Sequence, residues 1–197
     1  MSQQTIFLVH HGETEWNREG RLQGQLDSPL TPEGRSQATR VAALLTREIP
    51  RPRAVSLVSS SLGRAVDTAG IVGGVLDLPV AIDDRIIELS FGRWEGLTKE
   101  EMETQTPGAF DGASRWNWYF RAPGGESFEQ ASARIDAWLG ELRQSTIAVG
   151  HGLAGRILRG LYAGLTREET LRQPVRRDGV FKLADGGITF VEAPPIL

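Results

Sequence analysis

The stretch TIFLVHHGETEWN, residues 5–17, joins an apolar run to two adjacent histidines and a glycine. The run TIFLV is apolar almost throughout and rich in β-branched side chains, which is typical of a strand covered on both faces of a sheet. His10, His11 and His151 are the only histidines of the chain. Two of the three therefore follow one predicted buried strand, and the end of this strand is the first candidate site.

Two more runs of the same kind, AVSLV at 54–58 and STIAV at 145–149, each precede a segment with helical periodicity. After the first run, Thr31 is expected to cap a helix whose first position holds Pro32. Alternating β and α patterns of this kind predict an α/β protein, a three-layer α/β/α sandwich with a mainly parallel central sheet.

Other elements follow from periodicity and capping signals. Helical periodicity covers 62–77, and capping-box spacing predicts helices beginning at Thr98 and at Ser127, the second extending to residue 143. Two β-type runs, at 179–185 and 187–193, close the chain around a glycine-rich turn.

Polar residues follow each of the three apolar runs. The sequences are HHGE at 10–13, SSSLGR at 59–64 and GHG at 150–152. Ligands of open α/β sheets bind beyond the carboxyl ends of the strands, so we expect one crevice with histidines and an arginine. Glycines after His11 and His151 allow a close backbone approach, and the N–H groups of the helix after His151 are expected to seat an anion. The pattern predicts a phosphate-binding crevice.

Composition narrows the class of protein. The chain has 197 residues, 40% hydrophobic and 24% charged, which suits a single globular domain over 1–197. A formal net charge of -3 gives no basic surface for nucleic acid or an anionic membrane. No apolar run reaches the length of about 18 residues needed to span a bilayer, and a cytoplasmic protein is expected. Cysteine is absent from the sequence, which excludes disulfides and thiolate chemistry.

Five blocks of this sequence resemble the histidine phosphatase superfamily, in the branch of phosphoglycerate mutases and small phosphatases. The blocks occur in the order and roughly the spacing of that family: LVHHGETEWNREGRLQGQLDSPLTPEGRSQA, VSSSLGRAVDTA, RIIELSFGRWEGLT, PGGES and AVGHG. The resemblance implies a phosphoglycerate mutase-like fold with a lid-like insertion around 92–126. It also implies a phosphomonoester hydrolase that acts through a phosphohistidine on a small phosphorylated metabolite. No cofactor is implied, and a homodimer is left open.

The resemblance also assigns roles to individual residues. His11 matches the nucleophile, Glu88 the acid that protonates the leaving oxygen, and His151 a second histidine that donates to the phosphoryl oxygens. Phosphate-binding positions fall on His10, Asn17, Gln23, Gly24, Arg64 and Gly152. A backbone carbonyl is expected to hold the other ring N–H of His11 and so to fix its tautomer.

One position departs from the pattern of the family, which has Arg-His-Gly where this chain has His10-His11-Gly12. Loss of one charge-assisted phosphate contact costs about 1.5–3 kcal/mol, roughly ten- to hundredfold in rate. If a protonated His10 substitutes in part, His10→Arg is expected to raise kcat/KM by that factor. A natural variant with tuned activity, a member that only binds phospho-ligands or a protein partner, and an introduced substitution are the open explanations.

Three further hypotheses concern chemistry and specificity. A metal site is disfavoured, because neighbouring histidines on a strand point to opposite faces. Apolar Leu153 and Ala154 after the second HG favour a phosphatase over a phosphoglycerate mutase, which is the alternative. Specificity is expected within 92–126. Most aromatic side chains of this segment are expected to form the small core of a lid, and the alternative is that one aromatic or arginine side chain faces the crevice and selects the leaving group. The candidates are Trp116, Trp118, Tyr119 and Phe120, flanked by Arg115 and Arg121.

Overall fold

One mixed β-sheet forms the centre of the chain. The computed structural model describes residues 4–114 and 116–194, apart from the side chain of Arg53. Within these residues the strands are β1 (Ile6–His10), β2 (Ser56–Ser59), β3 (Val80–Ile82), β4 (Thr146–Gly150), β5 (Gly179–Ala184) and β6 (Gly187–Glu192). Their order across the sheet is β3-β2-β4-β1-β5-β6. The first four strands in this order are mutually parallel, β5 pairs antiparallel with β1, and β6 pairs antiparallel with β5, which confirms a mainly parallel sheet.

Seven α-helices accompany these strands within the described residues. They are α1 (Glu15–Glu19), α2 (Pro32–Glu48), α3 (Gly63–Leu76), α4 (Lys99–Gln105), α5 (Phe128–Glu141), α6 (Gly152–Ala163) and α7 (Arg167–Arg172). The predicted caps are present: the Oγ1 of Thr31 accepts from the N–H of Gly34, and capping boxes start α4 at Thr98 and α5 at Ser127. The long helices therefore begin where the sequence signals place them.

The layers follow from alternation along β1. Phe7 and Val9 pack into a core with α2 and α3, whereas Ile6 and Leu8 pack into a second core with α5 and α6. Successive side chains of a strand point to opposite faces, so each face of the sheet carries a helical layer. The predicted three-layer sandwich is confirmed.

The two adjacent histidines at the end of β1 contact different helices. His10 lies on the α6 side, where its Cε1 approaches Gly152, and His11 lies on the α3 side beside Arg64. Strand β5 runs antiparallel to β1, and its Val180 pairs with Val9 of β1. The residues that precede β5 therefore lie at the carboxyl end of β1, next to both histidines.

Residues 92–126 carry a small aromatic core of their own. The rings of Trp94, Phe110 and Trp118 pack with centroid distances of 5.5–6.2 Å. These side chains join the core on the α5 and α6 side of the sheet. Arg115 lies outside the described residues.

No helix among the described residues is long and apolar enough to span a membrane.

Candidate active site

A cleft of about 310 Å³ opens at the carboxyl ends of the parallel strands, where the sequence predicts a ligand site. Of the predicted site residues, all except His151 line this cleft: His10, His11, Asn17, Gln23, Gly24, Arg64, Glu88 and Gly152. His151 lies behind this surface, with its ring centroid 5.3 Å from that of His11. The three polar strand ends are therefore brought together.

His11 is held as a single neutral tautomer. Its Nδ1 lies 2.7 Å from the carbonyl oxygen of Gly12, and its Nε2 accepts a hydrogen bond of 3.2 Å from the Nε of Arg64. Because a carbonyl oxygen can only accept a hydrogen bond, Nδ1 must be the protonated ring nitrogen, and the lone pair is on Nε2. Burial lowers the pKa of His11 well below 6.5, and the charges of Arg64 and Arg177 lower it further. Nε2 therefore carries an unprotonated lone pair at neutral pH, and a backbone carbonyl fixes the tautomer as the sequence predicts.

Gly12 allows the chain to pass close to the start of α2. A Cβ at residue 12 would overlap the carbonyl oxygen of Gly34, and the N–H of Gly12 donates to the Oγ1 of Thr68 at 3.1 Å. Only glycine fits this close approach of two backbones. The glycine fixes the carbonyl that orients the imidazole of His11.

Arg64, in the first turn of α3, is held by the loop that follows α1. Its Nη1 donates to the carbonyl of Leu26 at 2.7 Å and to the Oδ1 of Asp27 at 3.0 Å. Its Nη2 donates to the carbonyl of Gly24 at 2.7 Å. An arginine has five N–H groups, so together with the Nε bond to His11 these contacts leave one N–H of Nη2 uncommitted. The guanidinium is thus fixed against the nucleophile.

The loop around Gly24 is itself anchored from the segment after Glu88. The Oε1 of Glu95 accepts from the N–H of Gln25 at 3.1 Å and from the N–H of Phe91 at 2.8 Å. Gly24 has a φ of 57°, which suits glycine. Gln23 is buried, and its Oε1 has no partner among the described residues.

Glu88 occupies the N-terminus of α6. Its Oε1 accepts from the N–H groups of Leu89 at 3.1 Å and Ala154 at 2.9 Å, and its Oε2 accepts from the N–H of Leu153 at 3.1 Å. These are the contacts of a charged carboxylate at a helix N-terminus. The sequence-based expectation that these helix N–H groups wait for a substrate anion was therefore wrong, because a side chain 65 and 66 residues away in sequence fills two of them.

His151 is buried and neutral. Its Nε2 lies 2.7 Å from the Oγ of Ser60, and its Nδ1 has no partner among the described residues. Burial lowers its pKa well below 6.5, with further contributions from Arg64 and His11. A neutral imidazole can still donate one hydrogen bond.

His10 packs against the edge of the His11 ring, with a centroid distance of 4.5 Å and an interplanar angle of 73°. Burial lowers the pKa of His10 well below 6.5, and the charge of Arg177 is the next cause. Its Nδ1 is buried without a partner among the described residues. The side chain is therefore neutral near pH 7, which disfavours the hypothesis that a protonated His10 replaces an arginine.

A model of the histidine phosphatase superfamily (branch 1) matches residues 6–185. The chain belongs to the histidine phosphatase superfamily. A relative from Salmonella choleraesuis strain SC-B67, named “Probable phosphoglycerate mutase GpmB”, is 38% identical over 165 residues, which cover 76% of this chain and 70% of the relative. The predicted family is thereby confirmed.

Solved structures of this superfamily share the fold. A mycobacterial glucosyl-3-phosphoglycerate phosphatase in complex with VO3 matches with a TM-score of 0.77 and 28% identity, covering 98% of this chain and 97% of that one. YhfR of Bacillus stearothermophilus matches with a TM-score of 0.79 and 28% identity, covering 98% of each chain. These similarities confirm the predicted architecture over nearly the whole chain.

In this superfamily member the cleft holds more arginines than the sequence reasoning identified. Arg21, Arg156 and Arg177 line it together with Arg64, and Glu88 is the carboxylate in the lining. This charge balance favours an anionic ligand. No motif or spacing in the sequence distinguishes Arg21 or Arg156 from other arginines. Arg177 lies just before the β-type run at 179–185, outside every motif of the sequence.

The aromatic segment contributes one side chain to the cleft of this histidine phosphatase. Tyr119 lines it, whereas Trp118 is buried in the local core and Phe120 packs on Phe128 at 5.9 Å. Arg121 donates to the carbonyl of Asp111 at 2.6 Å, within its own loop. The expectation that one aromatic faces the crevice is met by Tyr119.

The described residues contain no group of three or more histidine, cysteine, aspartate or glutamate side chains placed to hold a metal ion.

Proposed function

We propose that this chain is a metal-independent phosphomonoester hydrolase that forms a phosphohistidine at His11. The observation that carries the proposal is the state of His11, whose Nε2 lone pair lies 3.2 Å from the guanidinium of Arg64 in an arginine-lined cleft. A neutral imidazole beside a phosphate-binding cation is suited to nucleophilic attack on phosphorus.

In the first step, the Nε2 of His11 forms a bond to phosphorus while the bond to the leaving oxygen breaks. The leaving oxygen takes a proton from Glu88. The Nδ1–H of His11 remains bonded to the carbonyl of Gly12, which stabilises the positive charge on the phosphorylated ring. As the Nε2 of His11 forms its bond to phosphorus, the Nε–H of Arg64 stops donating to this nitrogen and donates a hydrogen bond to a phosphoryl oxygen instead.

Glu88 must acquire its proton when the substrate binds. In the free site its three backbone contacts are those of a carboxylate. In the second step, water attacks phosphorus, Glu88 takes a proton from that water, and the electron pair of the N–P bond returns to His11.

Hydrolysis is favoured over transfer to a second substrate oxygen. Leu153 lines the cleft beside Gly152, and an apolar side chain at this position makes no polar contact to a carboxylate of the product. Relatives carry the name phosphoglycerate mutase, so a mutase is the second candidate. The two are distinguished by incubating the protein with a phosphoglycerate, because a hydrolase releases inorganic phosphate and a mutase releases the isomeric phosphoglycerate.

The substrate is proposed to be a small phosphorylated metabolite. A cleft of about 310 Å³ lies at the lower end of the range for small-molecule sites. A similar structure is named as a phosphatase of a glycosylated phosphoglycerate. We also propose one catalytic domain over 1–197, with 92–126 as its lid, and a cytoplasmic location. A homodimer is a separate hypothesis, which a measurement of the molar mass in solution by light scattering would test.

The test is to trap the intermediate during turnover of an aryl phosphate. A phosphoramidate on histidine is labile in acid and stable in base, so the denatured protein should carry base-stable phosphate. Peptide mapping should place this phosphate on His11, and His11→Ala should abolish both label and turnover. Label on another residue, or normal turnover by His11→Ala, would contradict the proposal. Tight binding of phosphate esters by the wild-type protein without turnover would support the binding-only alternative.

A further inference from the structure

The carboxyl end of β1 receives a residue from a strand that runs the opposite way. Val180 of β5 pairs with Val9 of β1, and Arg177 lies three residues before Val180. Because the two strands are antiparallel, residue 177 lies past the end of β1, next to the two histidines. Its side chain lines the same cleft as His11 and Arg64.

The guanidinium of Arg177 is poorly satisfied there. Its Nη2 donates to the Oδ1 of Asn17 at 3.1 Å, and its Nε is buried without a partner among the described residues. Glu13 offsets part of its charge, but the Oε1 of Glu13 is bonded to the hydroxyl of Thr31. A partly buried cation without a matched anion is unfavourable, so this group is suited to a ligand that brings negative charge.

The neighbouring Arg176 shows the opposite environment. It contacts Asp178 and Glu192 as ion pairs, and its guanidinium stacks 4.1 Å from the ring centroid of Phe190. Two consecutive arginines therefore differ in role: Arg176 is matched by protein groups, and Arg177 is not.

The charge of Arg177 reaches the reacting groups. It is the second cause, after burial, of the lowered pKa of His10, and it contributes to the lowered pKa of His11. The charges of Arg64 and Arg177 repel each other, and this repulsion helps to lower the pKa of Arg177. Two guanidinium groups that repel each other across one cleft are both relieved by a phosphate dianion between them.

We propose that Arg177 supplies the phosphate-binding guanidinium that this chain lacks at residue 10. The family pattern has an arginine directly before the nucleophile. In this chain, a residue from the segment before β5 takes the role of that arginine. His10 is then a neutral packing residue beside Gly152, and Asn17 orients Arg177 through its Oδ1. This inference rests on the proposed function, because the ligand is the phosphate group of the substrate.

The experiment measures kcat/KM for a phosphomonoester with Arg177→Ala and with Arg177→Lys. Loss of a charge-assisted contact should lower kcat/KM of Arg177→Ala roughly ten- to hundredfold. Arg177→Lys should lose less, because it keeps the charge without the planar fork. Added guanidinium ion should restore part of the activity of Arg177→Ala and leave the wild type unchanged. Arg176→Ala removes an adjacent arginine of equal charge and serves as the control, with kcat/KM close to wild type.

A second arm exchanges the two positions. His10→Arg alone should not raise kcat/KM, because Arg177 already supplies the contact, whereas His10→Arg should restore much of the activity of Arg177→Ala. The proposal is overturned if Arg177→Ala is close to wild type, if Arg176→Ala loses as much, or if His10→Arg alone raises kcat/KM tenfold or more. The last result remains decisive even if Arg177→Ala fails to fold.

A binding measurement keeps this proposal separate from the proposed function. Inorganic phosphate should raise the Tm of the wild-type protein and of Arg176→Ala, and should raise that of Arg177→Ala and Arg177→Lys less. If the wild type turns over no phosphoester, the proposed hydrolase is contradicted, and the phosphate-dependent Tm still decides whether Arg177 binds phosphate. An equal rise in wild type and both Arg177 variants would overturn the assignment.

Discussion

Replacing Glu88 by glutamine separates its structural role from its catalytic role. The carboxylate accepts three backbone N–H groups, two of them in the first turn of α6. Glutamine keeps one acceptor oxygen and turns an NH₂ group toward the N–H of Leu153. One charge-assisted bond is lost, at about 1.5–3 kcal/mol, and the charge at the helix N-terminus is worth about 0.3–1 kcal/mol more. The free energy of unfolding should therefore fall by about 2–4 kcal/mol.

The catalytic loss should depend on the leaving group. General acid catalysis contributes about 10²–10⁴-fold when the leaving oxygen is strongly basic, and less when it is a good leaving group. Glu88→Gln should therefore lower the kcat/KM of an alkyl phosphate by about 10²–10⁴-fold and that of 4-nitrophenyl phosphate by about tenfold or less, because kcat/KM covers only the steps up to departure of the leaving group. The assay is phosphate release from both substrates below the Tm of the variant.

The control is Leu158→Ala, a buried position in the same helix. Truncation of a buried leucine costs about 2–5 kcal/mol, so this variant is destabilised to a similar degree. It should lower both activities by the same factor. If Glu88→Gln also affects both substrates equally, Glu88 is a helix cap alone and the proton donor is another group.

Three other measurements test the site. In the unfolded chain the three histidines have a pKa of about 6.5 and bind protons below that pH, whereas burial keeps them unprotonated in the folded state. The free energy of unfolding should therefore decrease as pH falls below about 6.5 and stay level above it. The limit is about 1.4 kcal/mol per pH unit for each histidine, and urea unfolding from pH 5 to 8 checks it. Gly12→Ala should lower the free energy of unfolding by about 1–3 kcal/mol and remove most of the activity, because the added Cβ overlaps Gly34. Gly74→Ala is the control: its Cβ would face open space, so stability should be unchanged or higher. Thermal melts and turnover compare the two variants. Activity should survive EDTA, because arginines carry the phosphate charge, and loss restored by zinc or magnesium would refute this.

The sequence located the site because three apolar strands end in unusual polar residues. The rule that ligands bind at carboxyl ends of parallel strands was enough to bring His11, Arg64 and His151 together. Short elements were less accessible. Strand β3 has only three residues, Val80–Ile82, directly after Pro79, so its apolar run is shorter than those that marked the other parallel strands.

Two features of the site depend on contacts between segments distant in sequence. The Glu88 carboxylate fills N–H groups of a helix more than sixty residues away, which no local pattern records. Arg177 reaches the cleft because β5 is antiparallel to β1, and the carboxyl-end rule considers only the parallel strands. Strand direction, which follows from tertiary pairing, decided whether this arginine belongs to the site.

The anchoring of Arg64 also has a consequence for conformational entropy. A free arginine side chain loses about 1.5–2 kcal/mol of rotamer freedom when it is fixed. Arg64 has already lost this freedom on folding, because two carbonyls and a carboxylate hold its guanidinium. Arg177, with one bond to Asn17, retains more of its freedom until a ligand arrives. The site thus combines a rigid cation beside the nucleophile with a more adjustable one, and most of the entropy cost of fixing a guanidinium on a ligand falls on Arg177.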